Sequence, residues 1–159
     1  MAKDTQSQDD DQMQDFRDIH ARHAALPNGL QAELRRVDHP DTLRDCAGLY
    51  RLFPGARPTA QQLRQAFLLP WCKEVESAQP LAQRCAEHIH ERRIIQMARD
   101  TAPQDLIAFR RLLIHLHSQA PVGWLEVARL AQFWGEQRKR RFVEDFYLNL
   151  YSLDQGDAA

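Results

Sequence analysis

Apolar side chains return every three or four residues along nearly the whole of this 159-residue chain, and nowhere do they alternate with polar ones over a strand's length. A period near 3.6 buries one stripe of a helix, whereas a half-buried strand needs a period of two, so the pattern restricts the chain to helices. Phe16, Ile19, His23 and Leu26 open the pattern, and Pro27-Asn28-Gly29 stops it. Leu30, Leu34 and Val37 form a short second face that ends at Asp38-His39-Pro40-Asp41, and Leu43, Cys46, Ala47, Tyr50 and Phe53 form a third that Pro54-Gly55 terminates. Thr59 offers an N-cap for a helix through Leu63, Ala66 and Phe67, which Pro70 must kink or end. Pro80 sits near the first turn of a helix carrying Leu81, Cys85 and Ile89 on into Ile94, Ile95 and Met97. Thr101 is expected to cap the helix of Leu106, Phe109, Leu113 and Leu116. After the loop Pro121-Val122-Gly123 comes a helix from Trp124 to Trp134, broken near Gly135, and a last one from about Gln137 to Tyr151. The expected fold is all-α, a compact bundle of about seven or eight short helices.

One domain's worth of chain is present, and 43% hydrophobic residues suffice for a core. Residues 1–15, polar and without apolar periodicity, are expected to be a disordered acidic tail. Residues 16–153 make a single helical domain with a lobe break near 68–80, and 154–159 a second tail. The opening residues lack the apolar stretch and cleavage site of a secretory signal, and no run of about 18 apolar residues could span a membrane. Three cysteines with no CxxC spacing frame neither a disulfide scaffold nor a zinc site, which suits a reducing cytoplasm.

Enzyme signatures are missing. The six glycines are too scattered for a phosphate-cradling loop, no Lys-Ser or Lys-Thr follows one, and no GxSxG is present. Seven histidines include His88-x-His90 and His115-x-His117, but residues two apart on a helix point some 200° apart, so neither pair readily shares an ion. His20 and His23 are better spaced yet lack an accompanying ExxH pattern. No metal, cofactor or catalytic residue is expected, and Trp71, Trp124 and Trp134 are read as core rather than base-stacking groups.

The net charge of −1 conceals an uneven distribution: residues 1–18 carry −4, residues 152–159 carry −2, and the body between them +5. Only three of the 21 basic residues are lysines. Arginine forks suit phosphates and carboxylates. They cluster as Arg35-Arg36, Arg92-Arg93 and Arg110-Arg111, with the run Arg138-Lys139-Arg140-Arg141. Two readings stand: solvated faces with internal ion pairs to Glu33, Glu91 or Asp105, or a composite basic surface for nucleic acid.

Three blocks carry a further signal: AELRRVDHPDTLRDCAGLYRL (32–52), ERRIIQMARDTAPQDLIAFRRLLIH (91–115) and WLEVARLAQFWGEQRKRRFVEDFYL (124–148). Their ordered elements RRV, LRD, YRL, ERRI, RRLL, the tryptophan-led helix and EDF resemble the CasB family, the small subunit of the type I-E CRISPR surveillance complex Cascade. The resemblance departs over 53–90, where a glycine-containing stretch expected before ERRI reads PLAQRCAEHIHERR, and the 138–141 run is more basic than the family pattern.

That resemblance implies a non-catalytic subunit of an RNA-guided complex. Its partners would be the backbone subunits, a second copy of itself, the guide RNA, the target DNA and the displaced single strand. Strand exchange in an R-loop is nearly balanced, so phosphate contacts to the released strand can tip it. Arg36, Arg93 and Arg111 are the leading candidates for those contacts. Arg35, Arg92 and Arg110 are weaker, being suited to bracing the fold, and Arg138, Lys139 and Arg141 complete the set. The alternative is a free-standing helical DNA-binding regulator, but no recognition helix aimed at base edges after a tight turn stands out.

Overall fold

The computed structural model describes residues 2–157. Among these, nine α-helices and two short 3-10 turns account for the regular structure, and the one β-type pairing is an isolated bridge between Glu74 and Gly123. Eight of the helices have eight residues or more, so the all-α expectation holds.

Helix α1 (Ala2–Ala24) begins far earlier than the apolar spacing indicates. The acidic stretch is helical from Ala2 on, where the sequence suggests a disordered tail over 1–15, and residue 1 lies outside the described residues. Asp4 in the first turn suits the positive end of the helix dipole. Gln6→Asp10 and Gln14→Asp18 side-chain hydrogen bonds link successive turns. Tertiary contacts dock the helix: Asp9 pairs with Arg129 at 2.9 Å, the Trp124 indole N–H donates to the Phe16 carbonyl at 2.8 Å, and Arg22 donates to the Leu52 carbonyl at 3.1 Å. Arg17 also pairs with Glu76.

Helix α2 (Asn28–Arg36) leads into a 3-10 turn, Pro40–Asp45, and then α3 (Ala47–Leu52). The apolar pattern from Leu43 to Phe53 thus divides at Cys46, which is extended at φ −97°, ψ 123°. Helix α4 (Ala60–Leu68) has the expected Thr59 cap, completed by Gln62 into a reciprocal capping box. Pro70 ends it in a 3-10 turn, Leu69–Trp71. Gly55, in the turn before α4, has φ +92°, which side chains rarely tolerate.

Helices α5 (Leu81–His88) and α6 (Glu91–Arg99) also replace one expected helix with two. Ile89 is buried in an extended conformation at the junction, and the His90 ring accepts the Arg92 N–H at 3.1 Å to start α6. Helix α7 (Gln104–His117) has Pro103 at its N-cap position and no side-chain cap, and the expected cap Thr101 instead offers its carbonyl to the Asp105 N–H. Helices α8 (Trp124–Gln132) and α9 (Glu136–Asp157) follow, separated at the expected break near Gly135. The expected tail at 154–159 is helical through Asp157, and residues 158 and 159 lie outside the described residues.

Chain order and spatial order differ. Helix α8 returns to pack on α1 and α4, while α9 packs along α5 and α6, and α7 touches α4, α5 and α6. One continuous apolar core therefore joins both halves, with Leu34, Leu49, Phe67, Phe109, Trp124 and Phe146 at its centre. Leu68, Leu69, Pro70 and Cys72 are themselves buried in it. Residues 68–72 thus run through the core, whereas 73–80, where the sequence suggests a lobe break, are exposed or only partly buried. Residues 74–77 lie so close to Gly123 that a Cβ there would stand 2.5 Å from the Ser77 nitrogen.

Candidate nucleic-acid interface

Each arginine pair divides its labour according to the 100° step between helix neighbours. On α7, Arg110 is 7% exposed and Arg111 is exposed. The Arg110 guanidinium donates to the Phe67 carbonyl at 3.2 Å and to the Arg35 carbonyl at 2.8 Å, and it lies 4.6 Å from the Phe67 ring centroid. These two carbonyls belong to the last turns of α4 and α2, where helices leave their C=O groups unpaired. A cation there also suits the negative ends of the helix dipoles.

Arg110 is therefore placed as a structural clamp, its guanidinium bonded to two backbone carbonyls. It pins the turn that carries Arg35 and Arg36 against the middle of α7. The RRV and RRLL elements, 75 residues apart, become neighbours through this one side chain. Arg35 and Arg36 are both exposed at the end of α2.

Arg92 and Arg93 stand exposed in the first turn of α6, which packs on α7 and α9. Cations at that end oppose the helix dipole, at a cost of about 0.3–1 kcal/mol each that Glu91 partly offsets. Stability alone does not favour arginine at these positions.

The basic run on α9 splits more sharply. Lys139 is 1% exposed, its ammonium 3.0 Å from the Asp105 carboxylate, 2.7 Å from that of Glu136 and 2.8 Å from the Asp100 carbonyl. Burial alone would lower its pKa, but the hydrogen bonds and charges of Glu136 and Asp105 carry it above the ordinary lysine value. Lys139, expected among the strand-binding residues, is buried here and anchors α9 to the segment joining α6 and α7. Arg140 and Arg141 are exposed, and Arg138 is half-buried with its guanidinium 5.1 Å from the Phe133 ring centroid. None of Arg35, Arg36, Arg92, Arg93, Arg111, Arg138, Arg140 or Arg141 makes an ion pair among the described residues. Among the described residues, the ion pairs to Glu33 and Glu91 that a purely solvated face would use do not occur.

No family model matches the chain. Over 140 residues it is 36% identical to the CRISPR system Cascade subunit CasB of Escherichia coli (strain K12), an alignment covering 77% of this chain and 86% of that protein. The chain belongs to the CasB family. A chain in the crystal structure of E. coli Cascade bound to a PAM-containing double-stranded DNA target superimposes with a TM-score of 0.72 at 32% identity, covering 84% of this chain and 95% of that one.

The histidines, considered as metal ligands from spacing, are employed otherwise in this CasB-family fold. His39 and His90 accept backbone N–H groups at the starts of a 3-10 turn and of α6. His117 meets the Trp71 ring edge-on at 5.5 Å between centroids. Among the described residues, no three His, Cys, Asp or Glu side chains gather as a metal site would require. No described helix is long and apolar enough to cross a membrane.

Phe133 is the residue that sequence reasoning passed over. It falls inside an apolar helix pattern, yet it is 47% exposed at the end of α8. Its one readable signal is its place beside Gly135, at a helix break where a side chain can leave the core stripe.

Proposed function

We propose that this chain is the small subunit of a type I-E CRISPR interference complex, and that it stabilises the R-loop by arginine contacts to DNA phosphates. The observation that carries the reading is the set of exposed arginines, unpaired with any carboxylate among the described residues, on helices held rigid by buried Arg110 and Lys139. Arg36, Arg93 and Arg111 lead this set, with Arg35, Arg92, Arg138 and Arg141 in support. Sequence is read by guide pairing in such systems, so the protein needs only to hold the backbone of the strands. Its neighbours would be the backbone subunits, a second copy of itself and the guide RNA, and its place the cytoplasm. The kinship with a protein named as a Cascade subunit, and the match to a chain of a DNA-bound Cascade, support this assembly.

The test is co-purification from the native host, followed by strand retention in the assembled complex. Larger subunits and a discrete guide RNA should co-elute. Replacing Arg36, Arg93 and Arg111 together by alanine should leave helical content unchanged and weaken retention of the displaced strand. It should also flatten the salt dependence, by about 0.7 in log–log slope for every single-strand phosphate that is no longer neutralised. An unchanged slope would sink the phosphate assignment, and a lone chain free of RNA would sink the assembly.

A further inference from the structure

Phe133 and Arg138 make an arrangement that the phosphate reading does not use. The chain leaves α8 after Gln132 and starts α9 at Glu136. Within this short connection Trp134 turns inward, its ring 5.0 Å from that of Phe109, while Phe133 turns outward. Arg138, in the first turn of α9, lies over the Phe133 ring. Phe133, Arg138 and Arg141 line one open cleft of about 630 Å³, large enough for a planar ring. Glu136 also lines it, but that carboxylate is committed to Lys139 at 2.7 Å.

Other exposed aromatics have visible local partners. The Tyr50 hydroxyl donates to the Arg44 carbonyl, and Tyr151 stacks on Tyr147. Among the described residues, the ring contact of Phe133 is with a guanidinium alone, and Phe133 leaves much of its apolar surface in water. A flat π-face beside two unpaired guanidiniums is the surface on which an unpaired base stacks while its flanking phosphates are held.

We propose that Phe133, with Arg138 and Arg141, is a stacking platform for one unpaired nucleobase of single-stranded DNA. This inference rests on the strand-binding reading above and adds what phosphate contacts cannot supply. Phosphates are present in duplex and single strand alike, whereas a base inside a duplex already has its faces occupied. The platform therefore engages DNA only after strand separation and opposes re-closing. Every base has a π-face, so the contact is indifferent to sequence, as guide-directed recognition requires.

An NMR titration of the full chain, which detects millimolar binding, tests the proposal. The probes are an oligodeoxyadenylate, an abasic oligomer of the same length and charge, and a duplex. The oligodeoxyadenylate should shift the Phe133 ring and Arg138 Nε–H resonances upfield and bind about tenfold more tightly than the abasic oligomer. Phe133→Ala should abolish that preference while leaving the abasic affinity unchanged, and Phe133→Trp should retain it. Equal affinity for both oligomers, or for single strand and duplex, overturns the platform, as does an equal loss on both oligomers in Phe133→Ala. In those cases, salt-sensitive shifts at Arg36, Arg93 and Arg111 would leave the phosphate reading standing. No response to any probe at millimolar concentration overturns both.

Discussion

Two cations in this protein resemble surface arginines and lysines in sequence but serve the interior. Lys139 neutralises Asp105, whose side chain is 5% exposed, so removing the ammonium leaves a buried carboxylate without its counter-charge. Lys139→Met, which keeps the length of the side chain, should cost about 3–5 kcal/mol. Its melting temperature should fall by roughly 10 °C, read by circular dichroism. Arg141→Ala, two residues away and exposed, should change stability by less than about 0.5 kcal/mol. Equal effects would contradict the division of the run.

His23 provides a pH dependence of known sign. Burial, together with the nearby charges of His20 and Arg35, lowers its pKa from 6.5 to about 4, and its buried Nε2 has no hydrogen-bond partner. The unfolded chain therefore takes up a proton below pH 6.5 that the folded chain refuses. Stability contributed by neutral His23 is present above 6.5, declines as pH falls towards 4, and declines no further below that. In urea titrations across this window, His23→Gln should show a shallower loss of stability with acid than the parent. A parallel pH profile would refute the assignment.

At the scale of elements, the acidic first half of α1 is helical without being buried. Residues 3–11 are all exposed, and Asp9–Arg129 is their one tertiary ion pair among those described, with side chains 54% and 39% exposed. Exposed pairs contribute about 0.2–1 kcal/mol. Deleting residues 1–12 should thus lower the melting temperature by less than about 4 °C, with helical content falling only by the residues removed. A larger drop would show that this half of α1 is a packed part of the bundle. The hydrophobic anchor comes later, where Phe16 and Ile19 enter the core and Phe16 offers its carbonyl to Trp124.

Elements also show where apolar spacing misleads. A continuous i, i+3, i+4 pattern from Leu81 to Met97 does not reveal that Ile89 is extended, because both halves bury the same kind of side chain. The break depends on His90 accepting the Arg92 N–H, a local bond that competes with helix continuation. His39 acts in the same way at the start of the 3-10 turn, where its ring accepts the Asp41 N–H, while the turn ends at Cys46 with an N–H bond to the Leu43 carbonyl. Thr59, by contrast, is readable as a cap because Gln62 completes a known reciprocal motif three residues later.

Across the whole molecule, the three cysteines fall on buried positions of one core, and none is bonded to another. Burial raises their pKa values: Cys46 to about 11, with Glu33 adding to the effect, Cys85 to about 12, and Cys72 higher still. Thiolates are the reactive form, so the folded protein should resist modification. A maleimide added at neutral pH should label none of the three within minutes, and all three in guanidinium, as counted by intact mass. Rapid labelling of the folded chain would show that the core opens locally.

The sequence by itself determined the helical class, most helix positions and the arginine-rich elements that tie the chain to the CasB family. Those features are written in local periodicity, in caps and in short ordered motifs, all of which act over a few residues. Only the tertiary structure decided which cation of each cluster faces inward. A 100° step leaves neighbours at a core edge equivalent until a specific carbonyl or carboxylate arrives from elsewhere in the chain. For Arg110 those partners are 43 and 75 residues away, and for Lys139 the buried carboxylate belongs to another helix. The exposure of Phe133 is likewise a tertiary outcome, because Trp134 takes the inward place against Phe109 and leaves Phe133 outside.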